Sequence, residues 1–511
     1  MNDTIIIIDY GSQYTQLIAR RIREFNVHSI ILPYDCKQKT IDKYNVKGFI
    51  LSGGPSSVYE KSAPHLPVNL FDLNIPILGI CYGFQLLIEN FGGIVNSSRK
   101  AEYGKSYINI NKKGKLFNGL SEESNVWMSH GDKVSSLPEN WEITSKSENN
   151  IISSSENLKQ KYYGVQFHPE VIHTIDGHRI IKNFLFEICN VRDNWTSKNF
   201  VNNTINTIKE LVGDKKVLCA LSGGVDSTVV AVLLSKAIGD KVTCVFIDHG
   251  MLRKNEAIDV MKMYESKLNL NVKLCDESNM FLSALDGITD PEQKRKIIGN
   301  KFIESFENIT SELSDFDYLA QGTLYPDVIE SGGYAKVADK IKSHHNVGGL
   351  PERMKLKLIE PLNELFKDEV RSVGRELGIP DEFIERHPFP GPGLAVRILG
   401  EITKKRVGIL QEADDIFIKI LQKTGFYNKI WQAFAVLLPI KTVGVMGDKR
   451  TYENVICLRM VTSVDGMTAD WFDLPADILQ LCSNRIVNEV KGVNRVVLDI
   501  TSKPPGTIEW E

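Results

Sequence analysis

Short apolar runs closed by polar or glycine-bearing turns alternate with stretches whose apolar residues recur at helical spacing. Ile5–Ile8 reads as a strand, a helix is expected near Gln16–Phe25, and Val27–Leu32 and Gly48–Ser52 read as further strands. That alternation predicts a parallel α/β sheet. The same order returns at Lys216–Leu221, Lys241–Ile247 and Leu319–Ala320, each a buried run opening into a loop. Asn363 is expected to cap an amphipathic helix through Arg371, and polar Asp193–Asn206 to connect two domains. Beyond a Pro/Gly cluster at His387–Leu394, Ala433–Val445 and Val455–Val461 read as strands. Asp477–Val490 reads as a helix and Val493–Ile500 as a last strand, a small α/β region with one apolar face to bury.

Length adds a domain count. At ~150 residues per domain, 511 residues should hold two to four. Apolar content of 42% and charged content of 24% are those of an ordinary globular protein. A net charge of −3 gives no electrostatic footprint for nucleic acid. No apolar run approaches the ~20 residues of a membrane span, and the opening residues lack the pattern of a signal peptide. Eight cysteines stand singly, without the C-x-x-C pairs of a zinc site. The expectation is a cytoplasmic chain with reduced thiols, no zinc and no organic prosthetic group.

Candidate chemistry sits where strands meet helices. Ser222-Gly223-Gly224-Val225-Asp226-Ser227 lies between an apolar run and a helical stretch. Small residues let a phosphate approach the backbone, and the helix start offers free N–H groups. Ser222 and Ser227 add hydroxyls, and Asp226 sets a carboxylate near the phosphates, a possible Mg²⁺ ligand. The loop lacks the lysine of a Walker A motif. Earlier in the chain, Gly79-Ile80-Cys81-Tyr82-Gly83 has the form of a nucleophile elbow with Cys in place of Ser. His168-Pro169-Glu170, read as extended, turns His168 and Glu170 to one side, so His168 can serve as base for Cys81 with Glu170 orienting it.

On the Gly53-Gly54-Pro55 turn, the elbow and His168-Pro169-Glu170, residues 1–192 resemble the class I glutamine amidotransferases. The resemblance implies that Cys81 attacks the glutamine amide and releases ammonia. It places Gly53, Gly54, Tyr82 and Gln85 around the oxyanion and the glutamine. The SGGVDS loop is similar to that of the PP-loop ATP pyrophosphatases, an adenine-nucleotide hydrolase-like fold, over residues 196–386, and Asp290–Gly299, Gln321–Asp327 and Leu365–Arg371 resemble the ATP domain of the GMP synthetases and its surroundings. That implies ATP contacts at Ser222, Gly223, Gly224, Val225, Asp226, Ser227, Asp248, Gln321, Asp327 and Lys367, with Mg²⁺ bridging the phosphates.

Amidotransferase followed by PP-loop domain is the order of the GMP synthetases, and residues 387–511 resemble their dimerisation and xanthosine-monophosphate (XMP)-binding domain. By that resemblance Lys503 meets the XMP phosphate and Glu509 the base, with Arg295, Gln432 and Ile508 as further contacts. The substrates would be ATP, XMP and L-glutamine, and the assembly a homodimer. The expected fold is α/β: two open, mainly parallel-sheet domains and a small C-terminal one. Lys336–Ala338 and Ser343–Pro351 read either as a lid or as a solvated loop. An NAD synthetase would share only the ATP half, and a tRNA-thiolating enzyme would need paired cysteines, which this sequence lacks. A non-catalytic nucleotide sensor would have little use for Cys81, His168 and Glu170 together.

Overall fold

The computed structural model describes residues 2–66, 70–313, 316–331, 356–446, 448–463, 466 and 468–511. Both candidate lid segments, Lys336–Ala338 and Ser343–Pro351, lie outside the described residues. The described chain divides into two compact units, residues 1–200 and residues from 201 onward.

In the first unit the strands are β1 (Asp3–Asp9), β2 (His28–Pro33), β3 (Asn45–Leu51), β4 (Ile77–Ile80), β5 (Ile94–Ile110), β6 (Glu123–Ser136), β7 (Glu142–Ser147), β8 (Ile152–Asn157) and β9 (Tyr162–Val165). They form one sheet in the order β2-β1-β3-β4-β9-β8-β7-β5-β6. Pairings from β2 through β9 are parallel. Ile5 to Ile8 of β1 are all fully buried, as an inner parallel strand covered on both faces requires. The other half, β8-β7-β5-β6, is antiparallel throughout. There β6 alternates buried and more exposed positions, the pattern of a strand with one wetter face. Adjacent parallel strands β3, β4 and β9 end at Leu51, Ile80 and Val165. Their carboxyl ends therefore bring Gly53, Cys81 and His168 to one edge, where open α/β sheets hold their ligands.

The second unit holds a wholly parallel sheet of β10 (Val217–Leu221), β11 (Val242–Asp248), β12 (Val272–Asp276), β13 (Tyr318–Ala320) and β14 (Lys357–Ile359), ordered β12-β11-β10-β13-β14. Central β10 delivers the Ser222–Ser227 loop. A second sheet in this unit is built on β16 (Lys449–Thr462), which pairs antiparallel with β15 (Gln432–Met446) and β17 (Asp470–Trp471), and parallel with β18 (Val493–Asp499). One apolar core joins the two sheets: Leu218, Val245 and Leu319 share it with Leu394, Leu410, Phe417, Ile456 and Leu458.

Three local expectations are corrected. Only residues 193–196 of the supposed connector are irregular, and helix Ser197–Val212 takes the rest. Phe200, Val201, Ile208 and Val212 form its buried stripe, and that periodicity outweighs an Asn/Thr-rich composition. The helix expected from Asn363 starts at Lys367; Phe366 takes the N-cap position, and the Glu369 carboxylate accepts the Phe366 N–H at 2.8 Å. The acidic third residue thereby satisfies the N–H of the cap position itself, one half of a capping box. Finally, residues 166–170 are a bend and turn rather than an extended run, so Glu170 folds back onto its own histidine.

Candidate active site

Cys81 stands between β4 and helix Tyr82–Asn90 with φ 51° and ψ −105°. Such a backbone costs a non-glycine residue ~1–3 kcal/mol and survives where its surroundings impose it. The surroundings are two main-chain hydrogen bonds: Cys81 N–H to the Val165 carbonyl (2.8 Å) and Gly83 N–H to the Ser52 carbonyl (3.0 Å). A Cβ on Gly83 would lie 2.4 Å from the Leu51 carbonyl oxygen, so only glycine lets the turn close. Tyr82 is the first helical residue, and its N–H has no acceptor within the helix. The Gly53-Gly54 turn packs beside it, since a Cβ on Gly53 would be 3.1 Å from His168 Cε1 and one on Gly54 would be 3.4 Å from Tyr82 Cγ.

His168 Nδ1 and Glu170 Oε1 are 2.7 Å apart, and both residues are buried. Burial alone would hold the imidazole down. The Glu170 carboxylate and a hydrogen bond with Cys81 overcome it and raise His168 well above its ordinary value of 6.5. The Tyr14 ring stands edge-on to the imidazole at 5.1 Å. Gln85 Nε2 donates to the Asp132 carbonyl (3.1 Å) and to Gln166 Oε1 (3.2 Å), and Gln166 Nε2 lies 3.7 Å from Cys81 Sγ. Gln166 was missed from sequence; its place beside the recognised His168-Pro169-Glu170 run was the available signal.

The Ser222–Ser227 loop is braced from within. Ser222 N–H donates to Ser227 Oγ (3.2 Å), the two hydroxyls are 3.1 Å apart, and Gly224 N–H reaches Ser222 Oγ at 3.3 Å. Lys367 Nζ reaches Asp226 at 2.6 and 2.5 Å from its two oxygens. A loop without its own lysine thus receives one from 141 residues downstream. A Cβ on Gly322 would lie 3.3 Å from the Ser227 nitrogen, so Gln321-Gly322 abuts the same loop. Asp248 ends β11 and accepts the Gly250 N–H at 2.8 Å; burial, with Asp276 and Glu256 nearby, raises its carboxyl above the ordinary 3.8. Asp327 accepts the Leu324 N–H (3.0 Å), the bond of a helix start.

The proposed acceptor residues fall into three local groups. Gln432 Nε2 donates to Glu509 Oε1 (2.7 Å), and Arg397 forks onto the same carboxylate at 3.0 and 2.8 Å. Ile508 packs against Phe434, Val436 and Cys457. Arg295 donates to the main-chain oxygen of Glu511. Lys503 stands apart, with Nζ on the Gly466 carbonyl at 2.7 Å. Lys294, Arg397 and Arg459 were missed from sequence, yet all three side chains are fully buried. Lys294 could have been suspected as the neighbour of Arg295; the two arginines carried no signal.

Three family profiles match the chain: "Glutamine amidotransferase class-I" at residues 6–188, "NAD synthase" at 196–301, and "GMP synthase C terminal domain" at 419–510. A protein named GMP synthase [glutamine-hydrolyzing] from Carboxydothermus hydrogenoformans is 56% identical over 511 residues, covering 100% of both chains. The same name belongs to a Chlorobaculum tepidum protein 55% identical over 99% of each chain. The chain belongs to the glutamine-hydrolysing GMP synthases. NAD synthase likeness stops at residue 301 and covers the nucleotide-loop region alone, whereas the GMP synthase relationship runs end to end. Among the described residues no helix is long and apolar enough to cross a membrane.

For a GMP synthase the raised His168 has a pH consequence. A group held above 6.5 stabilises the fold below that value, and its contribution fades as pH rises through the elevated folded-state pKa. In Glu170→Gln the imidazolium loses its carboxylate. We expect glutaminase kcat/KM to fall roughly 10²-fold or more and its acid limb, set by deprotonation of the His168 base, to move to lower pH. A pH–rate profile of the variant checks this; an unmoved limb would mean that Glu170 does not set His168.

Proposed function

We propose that residues 1–192 release ammonia from glutamine, residues 196–386 activate XMP with ATP, and residues 387–511 bind XMP and form the homodimer of a cytoplasmic enzyme. The reading is carried by the Cys81–His168–Glu170 row in a chain 56% identical, end to end, to a glutamine-hydrolysing GMP synthase.

Cys81 Sγ attacks the carboxamide carbon while His168 takes the thiol proton. The oxyanion forms against the Tyr82 and Gly54 N–H groups, donors that matter most as charge develops. His168 then returns the proton to departing ammonia, and water cleaves the glutamyl thioester to glutamate. Gln85 and Gly53 complete the pocket wall.

At the second centre, N–H groups of Gly223, Gly224, Val225 and Asp226 and the hydroxyls of Ser222 and Ser227 hold the ATP phosphates. Asp248, Gln321 and Asp327 border the nucleotide, and Lys367 brings positive charge to the pyrophosphate. Asp226 is the loop carboxylate that would hold Mg²⁺; one carboxylate with phosphate oxygens suits that ion. When bound, Mg²⁺ neutralises phosphate charge. The C2 oxygen of XMP attacks the α-phosphorus and expels pyrophosphate. Ammonia then attacks C2, and AMP leaves with that oxygen. Lys503 receives the XMP phosphate, Glu509 with Gln432 the base, and Arg295 and Ile508 the remaining surface.

Product analysis with ATP, Mg²⁺, glutamine and XMP, omitting one at a time, tests the scheme. Equal amounts of GMP, AMP, pyrophosphate and glutamate are expected. AMP formed without dependence on XMP would refute the acceptor assignment.

A further inference from the structure

Residues 501–511 belong to no strand, apart from one isolated bridge at Lys503. Buried cations hold them instead. Arg459 donates to the Thr501 carbonyl (2.5 Å) and the Thr507 carbonyl (3.1 Å), and Arg397 forks onto Glu509. Lys294, with no exposed side-chain surface, donates to the Ile398 carbonyl (2.8 Å) and to Glu511 Oε2. The other Glu511 oxygen accepts the Gly400 N–H at 3.3 Å.

These contacts close a ring. Lys294 and Arg295 are successive residues of helix Pro291–Leu313. Ile398 follows Arg397, the residue that grips Glu509. Glu511 lies two residues past Glu509 and returns to Lys294 and, by its main-chain oxygen, to Arg295. We propose that Glu511 is a positioning residue for the acceptor: paired with buried Lys294, it fixes the separation of Arg295 from Glu509, and so the affinity for XMP, without touching XMP. This rests on the reading above that Arg295 and Glu509 serve XMP.

The chemistry favours this role over plain reinforcement. A lysine at the interior end of a helix needs an anion, and burial already pulls Lys294 below its ordinary 10.5 against the opposing pull of Glu511. Supplying that anion from the tail ties the place of its last residue to this pair, while Arg397 and Arg459 hold the stretch from Thr501 to Glu509. Removing either charge alone leaves the other uncompensated.

The test measures GMP formation from ammonia, which bypasses Cys81, in full-length wild type, Glu511→Gln, Glu511→Asp and the double variant Lys294→Met/Glu511→Met. Glu511→Gln is expected to raise the KM for XMP about tenfold or more, with the KM for ATP unchanged. Glu511→Asp keeps the charge and should recover much of the loss. The double variant removes the buried charge with its partner, so it should fold; its tail, still held by Arg397 and Arg459 but without the Glu511 anchor, should bind XMP more weakly than the wild type. An unaltered KM for XMP in Glu511→Gln overturns the proposal. So does a fall in which Tm and both KM values move together, since that is mere loss of structure. A wild-type chain that makes no GMP from XMP refutes the acceptor reading, and the proposal with it.

Discussion

Cys81→Ala should abolish glutamine-dependent GMP formation, by ~10⁴-fold or more, and leave ammonia-dependent formation at the wild-type rate. The asymmetry follows from where the residue sits. Cys81 is held by its own N–H, donated to the Val165 carbonyl at the β9 end, and by the Gly83 N–H, donated to the Ser52 carbonyl, all within residues 1–200. The nucleotide loop is built on β10, in the other unit. Replacing Sγ by hydrogen removes the nucleophile and little volume, so the elbow and its neighbours should keep their places. Assays with glutamine and with ammonium chloride, run side by side, decide it. Equal loss with both nitrogen sources would mean that Cys81 supports the fold or the synthetase step rather than glutamine hydrolysis.

Asp226→Ala should behave in the opposite way, lowering GMP formation about 10²-fold or more with either nitrogen source. Its carboxylate is the partner of Lys367, and the residue lies in the first turn of helix Val225–Ile238, where phosphate would meet the dipole. Losing it frees Lys367 to wander and removes the carboxylate proposed for Mg²⁺. Glutaminase activity measured without nucleotide should be untouched. Pyrophosphate release in the presence of XMP is the readout. A variant that releases pyrophosphate at the wild-type rate would remove Asp226 from the adenylating step.

How far the sequence could be read depended on how local the cause was. The elbow, the His168-Pro169-Glu170 run and the SGGVDS loop are short motifs whose residue types carry their own signal, so each was visible as a candidate, although the bend at residues 166–170 was not. Parallel strands were visible too, because Ile5–Ile8 or Val217–Leu221 must be apolar on both faces. The antiparallel half of the first sheet was not: β8 reads Ile152-Ser153-Ser154-Ser155-Glu156-Asn157, and every residue of it is buried. Hydrogen bonds between strands, such as those of Thr144 and Ser145 to Ser154 at 2.6 Å, make that burial tolerable, and such pairing has no trace in one strand alone. The same holds for Arg397 and Arg459. A buried arginine announces itself only through a partner that the fold brings from far along the chain, here Glu509 and the 501–507 carbonyls. Lys367 and Asp226 were each visible as candidates; their pairing was not.

In the proposed reaction one chain activates the C2 oxygen of XMP as an AMP ester and then replaces it with nitrogen. The most direct measurement follows that oxygen. XMP labelled with ¹⁸O at C2 is turned over with ATP and glutamine, and the nucleotides are separated for mass spectrometry. One ¹⁸O is expected in the phosphate of AMP, none in pyrophosphate and none in GMP. Label released to water, with unlabelled AMP, would contradict it, since the oxygen would then have left without ever being joined to phosphorus.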